Sequence, residues 1–379
     1  MFRSDVRRVR GALTLALVPA MLTACASARP PAPVADLKPA ERPASNSNEA
    51  GLWMQGDRSE VLLRTSDTLV RDPMLQAYIQ GVACRVAGPH CDSIRVYVVR
   101  TPRFYASMSP NGMMRVGTGL LLRVANEAQL AFVLGHEIGH YLRRHSLQRW
   151  EDLKAKSANI ANERDSIAAF SRENEREADQ LGYELLVKAG YDPREAPRAW
   201  ERLAAERAVR SSTPPNPFFA THPTSAERIK TLRDYAEGVV LPTAEPRTGR
   251  AEFVAHLGPI LGRLLTDEVR GRQFQSSETL LGHLITDGDR LGDLHFYMGE
   301  IYRLRDQGDD LSKAVEAYQR ALDFAEAPPE TLRSLGIIHL RRGDRPAAQD
   351  AFARYLERRP NAADREMIRS QIAELQASP

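Results

Sequence analysis

A chain of 379 residues with 42% hydrophobic content carries apolar material for two or more cores, so at least two domains are expected. Its 52 basic residues nearly balance 49 acidic ones, a net charge of +3, and the charges are dispersed along the chain. That distribution lacks the basic tract of a nucleic-acid footprint and excludes nucleic acid as a partner class.

The chain opens with Arg3, Arg7, Arg8 and Arg10 ahead of a short apolar run from Gly11 to Ala24. This has the layout of a secretory leader, so 1–24 is read as a signal peptide outside the fold. Leu22-Thr23-Ala24-Cys25 resembles a bacterial lipobox, which implies lipidation of Cys25, and Ala26 fits sorting to the outer membrane. Residues 25–50, rich in Pro, Ala, Ser and Asn, read as a flexible tether. Cys84 and Cys91 remain, close in sequence and exported to an oxidising compartment, where a small disulfide loop is expected.

Apolar residues recur at helical spacing from Glu60 to Val86, with Pro73 at a helix start after Asp72. Ile94 to Val99 alternates and is β-branched, Phe104 to Met108 is a second extended piece, Pro110-Asn111-Gly112 is a turn, and Met113 to Gly117 returns as a strand. One helix is predicted from Asn126-Glu127 through Gln148, and another from Arg172 to Ala189, closed by Gly190 and Pro193. Between them, Leu153 to Phe170 is a charged connector expected over or beside the site. The fold expected for 51–247 is therefore α+β, mainly helical with a small sheet. From 248 to 379 an all-α repeat region is expected: Leu335-Gly336, Ala348, Phe352 and Pro360 stand at tetratricopeptide spacings, as do Gly299, Tyr302, Ala314, Tyr318 and Ala321 with a short insertion near Gly308. A weaker helix pair around Leu264 to Ile285 is a degenerate earlier copy, and so few repeats are expected to lean on the preceding domain.

His136-Glu137-Ile138-Gly139-His140 carries the chemistry. On a helix, residues four apart share a face, so two imidazoles can hold one zinc ion, while Glu137 stands beside the metal and can move a proton between water and a leaving amine. Unligated paired histidines inside so apolar a helix would be expensive to bury. A third ligand is needed. The metzincin continuation is rejected, because Arg143 and Ser146 stand where its glycine and third histidine belong; His145 is one place early and reads as a histidine at the helix end that supports a ligand or lies at the surface. A second helix offers Glu175, with Asp179 one turn on, able to accept the other ring proton of a zinc-bound histidine, and Glu177 facing away. Ala178 and Gly182 point to close packing between the two helices.

With Pro110-Asn111-Gly112, Gly117 to Leu121, Asn126 to Leu130, the HExxH helix and Asn174 to Asp179, the chain resembles the HtpX/Oma-type gluzincin zinc metalloproteases, and most closely the BepA-like periplasmic members with a tetratricopeptide tail. The resemblance implies a zincin domain binding one zinc ion through His136, His140 and Glu175, with Glu137 as the base. Thr221-His222-Pro223 and Glu227-Arg228-Ile229 also match, which implies His222 as a displaceable fourth ligand that gates the site, and Arg228 steadying a polarised carbonyl or pinning the loop. Phe104-Tyr105-Ala106 departs from the family's Phe-Asn-Ala at its middle residue. The expected activity is cleavage of unfolded or misassembled envelope proteins aligned as an added strand near Phe104 to Met108, by a lipid-anchored periplasmic enzyme whose repeats bind clients or outer-membrane assembly machinery. The competing expectation is an assembly factor or chaperone with a latent, autoinhibited site. A membrane-embedded prenyl-protein protease is rejected for want of a long apolar span after the leader.

Overall fold

The computed structural model describes residues 35–157, 170–209, 217–223, 226–239 and 245–377. The leader, Cys25 and residues 158–169 of the Leu153 to Phe170 connector lie outside the described residues. Two helices open the domain, α1 (Asn48–Arg64), capped by Ser47, and α2 (Pro73–Ala87), capped by Asp72 with Pro73 in its first turn. The helical spacing read across Glu60 to Val86 is thus split, because Asp72 and Pro73 start a second helix. Cys84 and Cys91 are joined as a disulfide.

Strands β1 (Arg95–Val99), β2 (Ala106–Met108) and β3 (Met113–Gly117) form one sheet in the order β1-β3-β2. β1 runs parallel to β3 with Arg95 opposite Met113, and β2 runs antiparallel with Ala106 opposite Val116, leaving β2 at an edge. Gly112 makes the β2–β3 turn at φ 86°, where a Cβ would lie 1.9 Å from the Ser93 carbonyl oxygen. After β3 come α3 (Thr118–Arg123), α4 (Glu127–Leu142), α5 (His145–Ser157), α6 (Arg172–Lys188), α7 (Glu195–Ala208), α8 (Pro217–Thr221) and α9 (Ala226–Gly238).

Every residue of α4 is buried, which makes it the axis of the domain. α6 crosses it where Gly135 and Gly139 face Gly182 and Ala178; a Cβ on Gly182 would lie 2.7 Å from the His136 backbone nitrogen. The single helix expected through Gln148 is broken after Leu142: Arg144 takes φ 54°, and the chain restarts as α5 at His145. The tether read to residue 50 also ends early. Leu37 is buried and its N–H donates to the Leu142 carbonyl (2.8 Å), Asp36 pairs with Arg143 (3.0 Å), and Glu41 and Glu49 pair with Arg144. Four carboxylate or backbone partners hold residues 36–49 against the α4–α5 corner, so polar composition there marks a strap.

The C-terminal region is helical throughout: α10 (Arg250–Arg270), α11 (Phe274–Asp287), α12 (Leu291–Arg305), α13 (Asp310–Leu322), α14 (Glu330–Arg341), α15 (Arg345–Arg358) and α16 (Arg365–Ala377). The glycines of the two expected repeat copies meet rings: a Cβ on Gly299 would lie 2.4 Å from Tyr318, and one on Gly336 2.5 Å from Phe352. Phe253, Leu257, Ile260, Leu264, Leu280 and Leu294 belong to the same core as α2, α4 and α7, so the apolar interior is continuous across residue 247. A buried ion cluster also spans it, Arg123 of α3 bonding Glu206 of α7 (2.8 Å) and Glu268 of α10 (3.1 Å). Among the described residues no helix is long and apolar enough to cross a membrane.

Candidate metal centre

Three elements deliver four donors to one point. Asn126 caps α4 by accepting from the Gln129 N–H (2.9 Å), and His136 and His140 follow one turn apart, Nε2 to Nε2 3.1 Å. Ser171 and Asn174 form a capping box that starts α6 and brings Glu175 into its first turn, Oε2 3.6 Å from His136 Nε2 and Oε1 3.4 Å from His140 Nε2. His222 follows α8, its N–H donating to the Phe218 carbonyl, with Nδ1 3.0 Å from Glu175 Oε1 and 3.4 Å from His136 Nε2. All four side chains are buried, with ligand atoms within 4.8 Å of one another.

A surrounding layer fixes these groups. Asp179 Oδ1 accepts from His136 Nδ1 (2.9 Å) and from the Trp200 indole N–H (3.2 Å). The Arg228 guanidinium donates to both Asp179 oxygens (2.5 and 2.8 Å), to Glu175 Oε2 (2.5 Å) and to the Pro223 carbonyl (2.8 Å). Arg228 therefore bridges α6 to the loop that carries His222. Burial alone would raise the Asp179 carboxyl, but Arg228 outweighs it and holds it down at about 2. Glu175 is likewise held well below the usual carboxylate range against its own burial, by the His140 and His222 imidazoles and the Arg228 charge beside it. Burial drives His140 well below the ordinary imidazole value, whereas at His222 the opposing charges of Glu137 and Glu175 overcome burial and raise it.

The donor set fits a zinc ion. Asp179 is acceptor-only as a carboxylate, so His136 Nδ1 carries the ring proton and its Nε2 presents a bare lone pair to His140 and Glu175. Two histidine nitrogens and a carboxylate converging in a dry pocket call for a cation, and borderline N/O donors of this kind suit zinc. Beside them Glu137 is buried, and its Oε1 has no hydrogen-bond partner, lying 3.7 Å from His222 Nε2.

His136, Glu137, His140, Glu175, Asp179, His222 and Arg228 are thus brought together, while Cys84 and Cys91 sit apart at the end of α2. Of four further neighbours, Trp200 and Phe218 went unread, His145 was expected to support a ligand or lie at the surface, and Phe170 only as the end of the connector over or beside the site. His145, at 0% exposure, has Nδ1 2.8 Å from His140 Nδ1 and Nε2 3.0 Å from Glu177 Oε2, so Glu177 points away from the ligands and onto His145. Phe170 stacks on His140 at 4.1 Å, Trp200 stands edge-on to His136 at 5.5 Å, and Phe218 stacks on His222 at 4.6 Å. Phe104 packs against Trp200 and Phe218, tying the start of β2 to the same aromatic wall, and the Tyr105 hydroxyl meets Ser107. The signal that could have found His145 is its place five residues after His140, beyond a break in the helix.

Residues 70–162 and 156–236 match Peptidase family M48. Among curated proteins, the chain is 27% identical over 238 residues to the putative beta-barrel assembly-enhancing protease of Vibrio cholerae (54% of this chain, 49% of that one). It is 28% identical over 224 residues to the beta-barrel assembly-enhancing protease of Escherichia coli (51% and 45%). It is also 33% identical over 162 residues to the mitochondrial metalloendopeptidase OMA1 of Arabidopsis thaliana (38% and 33%). The match spans about half the length of the two bacterial relatives.

Proposed function

Because residues 70–162 and 156–236 match peptidase family M48, we propose that the chain is a zinc-dependent endopeptidase of the bacterial envelope, acting on unfolded or misassembled outer-membrane proteins. One observation carries this function: His136, His140 and Glu175 converge beside a buried Glu137 whose Oε1 is unpartnered. His136, His140 and Glu175 would hold the ion, with His222 as a displaceable fourth ligand. When bound, zinc supplies a Lewis acid that polarises a peptide carbonyl and brings the pKa of water to about 7.

The protein's own groups do the rest. Glu137 Oε1 accepts a proton from the attacking water and returns it to the leaving amine nitrogen. Asp179 and Arg228 hold His136 and Glu175 in place, and Trp200, Phe170 and Phe218 keep bulk water from the ligands. A substrate strand adds to the outer edge of β2, which pairs only with β3 among the described residues. With His222 packed on Glu175 and facing Glu137, the loop has to move before a carbonyl can enter. The names of the bacterial relatives, which refer to beta-barrel assembly, support an envelope client. Lipidation at Cys25 would place the enzyme at the periplasmic face of the outer membrane, with the helical repeats choosing clients or engaging assembly machinery.

The covered position of His222 favours a second reading, an assembly factor whose protease site is latent. Zinc content and casein cleavage of the purified chain, beside Glu137→Gln and His222→Ala, separate the two. A gated protease contains one zinc, loses at least about 100-fold in cleavage rate in Glu137→Gln with zinc retained, and cleaves faster as His222→Ala. Zinc without cleavage in any variant favours the latent assembly factor, and absence of zinc refutes both.

A further inference from the structure

His136 and His140 are not supported alike. His136 donates its Nδ1–H to the Asp179 carboxylate, but among the described residues no carboxylate touches His140 Nδ1; the group at 2.8 Å is the Nδ1 of His145. Two facing ring nitrogens at that distance share one proton, so one is a donor and the other an acceptor. His140 offers Nε2 to the cluster of Glu175 and His136, which leaves its proton on Nδ1. His145 Nδ1 then accepts, its own proton stands on Nε2, and Nε2 donates to Glu177 Oε2 at 3.0 Å. This one arrangement makes both hydrogen bonds of the chain His140, His145, Glu177 donor to acceptor and leaves His140 Nε2 free to bind a cation. His145 is 0% exposed whereas the Glu177 side chain is 42% exposed, so the chain runs from the buried ligand to the surface of α6.

The backbone is arranged to make this contact. His145 begins α5 after the corner at Arg144, whose positive φ of 54° turns the chain back toward His140. The corner is tied down by the 36–49 strap through Leu37, Glu41 and Glu49. A straight helix through residue 148 would instead carry residue 145 around the axis by five steps of about 100°, off the His140 face.

We infer that His145 is a positioning residue for the metal centre: it accepts the Nδ1 proton of His140, fixes that ligand's tautomer and ring plane, and is itself oriented by Glu177. It does for His140 what Asp179 does for His136, with a neutral acceptor in place of a charged one. The inference rests on the metallopeptidase reading above and adds to it a residue outside the ligand set.

The test is zinc affinity by chelator competition on the full purified chain, for wild type, His145→Phe and His145→Gln, with the melting temperature of each metal-free form. Phe fills the space but cannot accept a proton; the Gln amide can accept from His140 and donate to Glu177. Loss of such a partner typically weakens metal binding about 10- to 100-fold, and that loss is expected for His145→Phe, with His145→Gln within about threefold of wild type. Zinc-loaded wild type is expected to show a scalar coupling through the hydrogen bond between the two Nδ1 nitrogens, a readout that does not depend on any variant folding. Unchanged zinc affinity in a folded His145→Phe, or no such coupling in the wild type, overturns the role of His145. A wild-type chain that binds no zinc overturns the metallopeptidase reading and this one with it.

Discussion

Replacing Gly182 by alanine tests whether the metal site depends on the closeness of two helices. The new Cβ would lie 2.7 Å from the His136 nitrogen, 2.9 Å from the Gly135 carbonyl carbon and 3.0 Å from the His136 Cα. All three are backbone atoms that cannot swing aside. Comfortable carbon contacts begin near about 3.5 Å, so α6 has to withdraw from α4 by roughly 0.5–0.8 Å. Glu175 lies two turns up the same helix and moves with it, whereas metal–ligand distances tolerate only about 0.2 Å. Overpacking costs about 1–3 kcal/mol, offset by about 1 kcal/mol from the better helix propensity of alanine. We therefore expect Gly182→Ala to lose up to about 2 kcal/mol in urea unfolding and at least about tenfold in zinc affinity, equivalent to about 1.4 kcal/mol. Gly81 in α2 has nothing within 4 Å of its would-be Cβ, so Gly81→Ala should leave zinc binding alone and stabilise the fold by about 0.5–1 kcal/mol. Wild-type zinc affinity in Gly182→Ala would refute the claim that the α4–α6 contact sets the ligand geometry.

Glu60 receives Arg95, Tyr97 and Arg64, which outweigh its burial and bring its carboxyl from 4.5 to about 2. A depressed folded pKa stabilises above about pH 4.5 and loses that contribution as pH falls toward 2; with Arg64 and Arg95 more than a third exposed, about 1–2 kcal/mol is at stake. Glu60→Gln should therefore lower the urea midpoint at pH 7 and leave it unchanged near pH 2. Breaking the Cys84–Cys91 bridge with serines should cost about 2 kcal/mol, read as a lower melting temperature, and reductant should then have no further effect. Gly336→Ala meets the Phe352 ring at 2.5 Å and should destabilise the C-terminal helices by about 1–3 kcal/mol, seen as faster amide exchange in α14 and α15 with zinc affinity unchanged. A chain starting at residue 51 loses the buried Leu37 and the ion pairs to Arg144, and should unfold about 2–3 kcal/mol more easily than one starting at residue 35.

What could be read from the residues was what local rules determine. Asn126 and Asp72 each accept an N–H three residues on, so α4 and α2 start where cap chemistry says they must. The spacing of His136 and His140 fixes their shared face whatever surrounds them. Glu175 could be proposed from the second helix, where Ala178 and Gly182 signal close packing on α4, whereas His222 could be placed only through resemblance, since nothing near it says which loop will meet α4.

The contact of His145 with His140 and the strap escaped for a physical reason. Whether a helix continues through Arg143 and Arg144 depends on Glu41 and Glu49, about a hundred positions away, and both arginines are good helix formers in isolation. The extent to which the core runs on across residue 247 was hidden in the same way, beyond the expectation that so few repeats lean on the preceding domain. Composition changes there, and the helices that follow have the apolar periodicity of stacked repeats. An amphipathic stripe records only that a face must be covered. It reads the same whether the covering surface is another repeat or α2 and α3 of the catalytic domain, which is what Phe253, Leu257 and Leu264 meet. The Arg123, Glu206 and Glu268 cluster makes the junction specific, because a buried charge without its partner costs several kcal/mol. Those helices therefore cannot drift from α3 and α7 without leaving Arg123 unpaired. α7 carries Trp200, which touches both His136 and Asp179, so the repeat region is joined through packed and ion-paired groups to the walls of the metal site.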